Sequence, residues 1–178
     1  MDSAVFMDRR DGITAIPIPT APRRAVAYRS YFEHLPIGPS FWRGRREPQL
    51  YRAVDWANIA SLSVLDTRQC RSTPPCATPS VARNVRLDAR AQAAAPARTI
   101  MGTGQERWLS GWLAGERCYW SLVAQQVFFA PLWLDGMRRS TFSDRWDGYA
   151  ANRNRMLHEM TRLAVRNPIV LSGDVHSR

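Results

Sequence analysis

Apolar and polar positions change their spacing several times along this chain, and each change marks an element. Ile59-Ala-Ser-Leu-Ser-Val-Leu65 is short, small and apolar, the composition of a strand inside a sheet. Leu50 to Asp55, just before it, is a second strand candidate. Trp120 to Phe129 concentrates β-branched and aromatic residues and predicts a buried strand, closed by Pro131. Ile169 to Leu171 predicts another buried strand. Between these runs the spacing turns helical. Gln105 to Leu113 puts Trp108, Leu109, Trp112 and Leu113 on one face. Ala150 to Val165 carries a stripe of Met156, Leu157, Met160, Leu163 and Ala164, and is expected to pack on the strands. Arg166-Asn167-Pro168 ends that helix. Strand, helix, strand, helix, strand is the order of an α/β fold.

The remaining stretches are less regular. Residues 1–24 read as an irregular segment or linker, because Ile16-Pro-Ile-Pro-Thr-Ala-Pro22 holds three prolines. Arg23 to His34 predicts a short helix, with Ala25, Tyr28, Tyr31 and Phe32 near one face. Gly38 to Pro48 is a turn-rich basic loop carrying Arg43, Arg45 and Arg46. Ser72 to Ala97 is rich in Pro, Ala, Arg and Thr and reads as a long excursion. Leu132 to Asp144 reads as a loop, and Asp147-Gly148 is a turn signal.

Length and charge narrow the functional classes. A chain of 178 residues can bury one core of ordinary size. The net charge is +10, and all 25 basic residues are Arg. Arg suits bidentate recognition of phosphate and carboxylate. The arginines are scattered, with no basic helix or recognition motif, which argues against nucleic acid as the partner. No run is long and apolar enough to cross a membrane. Met1 to Arg10 has no apolar core of an export signal. The Cys70 to Cys76 spacing fits no common zinc site; a small disulfide loop and two ordinary thiols both remain open.

Two places carry candidate chemistry. In Ser172-Gly-Asp174-Val-His176 a carboxylate and an imidazole follow a strand, where open α/β sheets keep their ligands. Oxygen and nitrogen donors of that kind suit a hydrolytic metal centre. A capped turn with a surface histidine accounts for the same residues. The second place is Asp66-Thr-Arg68-Gln-Cys-Arg71, at the end of the Ile59–Leu65 strand. Here an arginine can clamp a phosphoryl oxygen. Alternatively Asp66 pairs with Arg68 or Arg71 to fix the loop, and that structural role is the expected one.

Six stretches in series resemble the PhoD family of alkaline phosphatases and phosphodiesterases, within the calcineurin-like metallophosphoesterases. They are Tyr51-Arg52, Leu65 to Arg71, Gly102-x-x-Gln105-x-x-Trp108-Leu109, Trp120 to Pro131, Trp146-Asp-Gly-Tyr149-x3-Arg153, and Val170 to Ser177. The resemblance implies an incomplete metallophosphoesterase-type β-sandwich flanked by helices, a partial domain over residues 25–178. It implies hydrolysis of phosphate mono- or diesters by metal-activated water, with iron and calcium as the metals. Asp174 and His176 match the family's Gly-Asp-Val-His motif at the metal centre, and His176 and Arg68 are the catalytic candidates. Asp147 and Tyr149 match other motif positions and are candidates for substrate binding.

The family's aspartate-rich Trp-Asp-Asp-His-type segment has no counterpart in residues 1–25, since Asp8 and Asp11 stand in a different pattern. The chain is therefore expected to be the middle of such an enzyme, with little activity alone. A periplasmic or secreted location follows if the full family pattern holds. The alternatives are a non-catalytic remnant and a basic interaction or nucleic-acid-binding module.

Overall fold

The computed structural model describes residues 21–35, 49–75, 89–115, 118–132 and 142–173. The chain divides into two compact units, Met1–Leu50 and Tyr51–Arg178. The first contains helix α1, Ala21–His34. It starts inside the stretch expected to be irregular. Pro22 falls in its first turn, where a missing N–H costs no intrahelical bond. An Arg29–Glu33 ion pair one turn apart lies on its exposed surface. The basic loop from Gly38 to Pro48 lies outside the described residues.

The second unit is built on a sheet of four strands in the order β1-β2-β3-β4. β1 (Arg52–Trp56) and β2 (Ala60–Val64) form an antiparallel hairpin, with Trp56 opposite Ala60. Ala57 takes a left-handed φ of 48° to close it. β2, β3 (Trp120–Gln125) and β4 (Pro168–Ser172) are parallel. Helix α3 (Thr103–Gly115) connects β2 to β3, and α4 (Ala150–Arg162) connects β3 to β4. Helix α2 is a single turn, Ala89–Ala93, inside the long excursion.

Alternation along the strands gives the sheet two unlike faces. One presents Ser61, Ser63, Ser121, Val123 and Val170 to α3 and α4. Small serines let the helices approach; the Trp112 indole donates to the Ser61 hydroxyl at 2.9 Å. Leu109, Leu113, Met156 and Met160 from the helices meet Leu65, Val123 and Val127 in one core, joined by Ile100, Met101, Trp146 and Tyr149. Each such burial contributes roughly 1.5–3 kcal/mol. The opposite face is apolar as well, through Val54, Leu62, Trp120, Leu122, Ile169 and Leu171. Val54, Trp120, Ile169 and Leu171 are exposed among the described residues.

Two strand expectations are corrected. β3 stops at Gln125 rather than Phe129, because the Gln125 side chain captures the Val127 N–H at 3.0 Å and turns the chain. β4 forms where expected but is an edge strand with exposed residues, not a buried one. Its burial depends on neighbours that a local apolar run does not reveal.

Candidate functional site

Because β2, β3 and β4 run parallel, their carboxyl ends share one edge of the sheet. Leu65 continues β2 by donating to the Ala124 carbonyl at 2.9 Å. Beyond it, glutamine side chains replace neighbouring strands. Gln105 on α3 accepts the Asp66 N–H at 2.7 Å and donates to the Asp66 carbonyl at 2.8 Å. Gln126 donates to the Leu65 carbonyl at 2.7 Å and accepts the Thr67 N–H at 2.9 Å. Leu65, Asp66 and Thr67 are therefore buried with their polar groups answered from both sides. The Asp66 carboxylate then caps the turn, accepting the N–H groups of Arg68 at 2.9 Å and Gln69 at 3.1 Å.

This geometry overturns the expected Asp66 pairing with Arg68 or Arg71. Both guanidiniums reach Asp144 instead. Arg68 Nη1 lies 3.0 Å and 2.9 Å from its two oxygens, and Arg71 Nη1 donates to Oδ1. Asp66 is already occupied by backbone donors, so the arginines find their carboxylate in a distant loop. Arg68 and Asp144 stay partly exposed, while Arg71 is nearly covered.

The 3₁₀ turn Trp146–Tyr149 ties this edge to the core. The Trp146 indole donates to Gln125 Oε1 at 2.9 Å. Asp147 is buried, pairs with Arg153 at 3.0 Å, and accepts the Leu132 N–H at 3.2 Å. A Cβ on Gly148 would stand 2.1 Å from the Ser143 carbonyl oxygen, so only glycine fits. The Tyr149 hydroxyl donates to the Ser72 carbonyl at 2.6 Å. Burial pushes its pKa up to about 12, against the opposing pull of Arg71.

Among the sequence candidates, Arg68 therefore sits at the strand-end edge. Asp147 and Tyr149 lie just beneath it with their polar groups engaged by protein partners. Asp174 and His176 lie outside the described residues. Gly173, the last described residue, reaches the same edge: a Cβ there would stand 3.3 Å from the Gln126 carbonyl. Cys118 is buried, with its thiol 3.4 Å from the Ala57 carbonyl. Cys76 is outside the described residues, so the Cys70–Cys76 pairing is too.

Sequence reasoning missed Asp144, Gln125 and Asn152. Asn152 Oδ1 accepts the Ile100 N–H at 2.9 Å and so holds the segment that leads into α3. Local spacing gives no sign of any of them, since their partners lie 21 to 76 residues away. Gly102 was readable only as part of a motif. It has φ +78°, and a Cβ would meet Cys70 Cβ at 2.6 Å.

The described residues do not make a metal shell. No group of three or more His, Cys, Asp or Glu side chains is gathered among them. At this edge Asp66, Asp144 and Asp147 are already engaged by N–H groups and guanidiniums.

Comparison with known proteins agrees with the architecture. A family model described as PhoD-like phosphatase matches residues 9–178. Alkaline phosphatase D of Bacillus subtilis (strain 168) is 38% identical over 165 residues, covering 87% of this chain and 26% of the relative. A solved chain titled "Structure of PhoD" superposes with a TM-score of 0.77 at 37% identity, covering 86% of this chain and 28% of that one. The chain thus spans about a quarter of the length of the relative it matches. Its four-stranded sheet and helices correspond to a portion of that fold, and the chain belongs to the PhoD-like phosphatase family.

Proposed function

We propose that this chain supplies the phosphate-facing strand edge of a phosphoric ester hydrolase. One observation carries the reading: in a PhoD-like phosphatase chain, two guanidiniums converge on a single anionic position at the carboxyl edge of parallel strands. Guanidinium N–H groups bind phosphoryl oxygens and offset the charge that builds on them during transfer. Arg68, the more exposed of the two, is assigned to the substrate. Asp147 and Tyr149 contribute by holding the Ser72 and Leu132 segments against the turn.

Iron and calcium are the metals that the resemblance implies, and Asp174 and His176 are the residues proposed to hold them, with His176 also next to the reacting group. The substrates proposed are phosphate mono- and diesters, and the proposed location is periplasmic or secreted.

The test is a chimera in which this chain replaces the matching segment of the Bacillus relative. Hydrolysis of p-nitrophenyl phosphate by the chimera, lost with Arg68→Ala and with Asp174→Asn, supports the reading. A chimera that folds and hydrolyses equally well with Arg68→Ala refutes the role given to this edge. The 178-residue chain assayed alone is expected to show little turnover.

A further inference from the structure

Asp144 occupies the position where an anionic ligand would be met. Its two oxygens take Arg68, and Oδ1 also takes Arg71. The contact is not sealed: the side chains of Arg68 and Asp144 are 40% and 42% exposed. Ion pairs this open contribute little to stability and exchange readily. Among the described residues the local charge is also unbalanced. Arg68, Arg71 and Arg98 all act on the Tyr149 hydroxyl, with Asp144 opposing them. Arg98 is held by the carbonyls of Gln92 and Thr73. The Asp66 carboxylate is turned onto its own loop.

We propose that Asp144 is an internal competitor for phosphate: its carboxylate binds Arg68 and Arg71 together, and a phosphate dianion displaces it. This rests on the reading of the edge as part of a phosphatase and adds a specificity-determining residue to it. The exchange favours a dianion for an electrostatic reason. A phosphate or monoester dianion replaces one negative charge by two beside two guanidiniums. A diester monoanion brings only the charge that it removes. Asp144 therefore favours a terminal phosphoryl group over a diester, and binding of a phosphate monoester strengthens as pH rises through its second ionisation, near pH 6.

The experiment titrates the full chain with inorganic phosphate and with dimethyl phosphate by calorimetry, at low salt. Three proteins are compared: the wild type, Asp144→Asn and Arg71→Gln. Inorganic phosphate is expected to bind the wild type in preference to dimethyl phosphate. Asp144→Asn should tighten phosphate binding by at least about tenfold and narrow the preference over dimethyl phosphate, because the competing charge is gone. Arg71→Gln should lose both. An Asp144→Asn protein with an unchanged circular dichroism spectrum that binds phosphate no tighter overturns the proposal. So does absence of phosphate binding in both the wild type and Asp144→Asn. Equal affinity of the wild type for the two ligands overturns it too, whether or not Asp144→Asn folds. None of these readouts uses turnover. A chimera without Arg68-dependent hydrolysis defeats the functional reading alone, whereas unchanged affinity in Asp144→Asn defeats only the exchange.

Discussion

Gln105 and Asp66 are joined as two strands would be: the glutamine amide accepts the Asp66 N–H at 2.7 Å and donates to its carbonyl at 2.8 Å. The same amide nitrogen reaches the Met101 carbonyl at 3.0 Å, so α3 and the strand-end loop share one side chain. Gln105→Leu fills the space and removes every partner. A buried backbone group left unmatched costs about 1–3 kcal/mol, so roughly 2–4 kcal/mol should be lost. Urea unfolding measures it. A loss below about 0.5 kcal/mol would mean that the loop stands without the glutamine.

Glycines divide by what a methyl group would meet. Gly148→Ala drives a Cβ to 2.1 Å from a backbone oxygen, and Gly102→Ala adds a strained φ of +78° to a 2.6 Å clash. Both should destabilise by several kcal/mol or prevent folding, with roughly 1–3 kcal/mol from the backbone strain at Gly102. Gly104 and Gly111 lie in α3 with nothing near the added atom. Alanine there should stabilise by about 0.5–1 kcal/mol. Thermal melts of the four variants decide the matter, and equal behaviour across them contradicts the packing described.

Tyr149 should make stability depend on alkaline pH. Its pKa is raised from 10.0 to about 12 in the folded chain. Between those values the native state holds a proton that the unfolded chain has released, so stability falls as pH rises. The contribution is fully present below pH 10, amounts to about 2–3 kcal/mol, and is lost through pH 12. Tyr149→Phe lacks the Ser72 hydrogen bond and should be about 1 kcal/mol less stable at pH 7. The gap between wild type and variant should close above pH 10 and reverse toward pH 12, because only the wild type loses this contribution. Parallel unfolding curves across pH 9–12 would contradict this.

Asp147 and Arg153 are both well buried, at 6% and 11% side-chain exposure. Asp147→Ala strands the guanidinium and should cost about 3–5 kcal/mol, whereas the double change Asp147→Ala with Arg153→Met should recover part of it. Additive losses in the double variant would show that the pair is not coupled.

Val54, Trp56, Trp120, Ile169 and Leu171 are exposed, and each pairs with an apolar residue in the ladder. A patch of this kind binds hydrophobic dyes and promotes association. Leu171→Thr with Val54→Thr should lower dye fluorescence and raise solubility while leaving the Met156 and Met160 core intact. Unchanged dye binding would place the exposed apolar surface elsewhere.

The chain's own spacing determined the elements whose cause is local. β2 and β4 stand where small apolar runs lie, and α3 and α4 where Leu109, Leu113, Met156 and Met160 recur at helical intervals. Parallel order followed, because a helix between two strands returns the chain to the same edge. The motif series also marked which segments belong together. What only the tertiary structure decided depends on partners far apart in sequence. Asp144 meets Arg68 and Arg71 across 76 and 73 residues, and nothing near either end announces it. Gln105 and Gln126 bracket Asp66 and Thr67 only once the sheet register is set. Asp147 and Tyr149 look like exposed chemistry in a turn, yet packing of that turn against Ser143 and Ser72 carries both inward. Burial and pairing are properties of neighbours, and neighbours across a sheet edge are assigned by topology rather than by spacing along the chain.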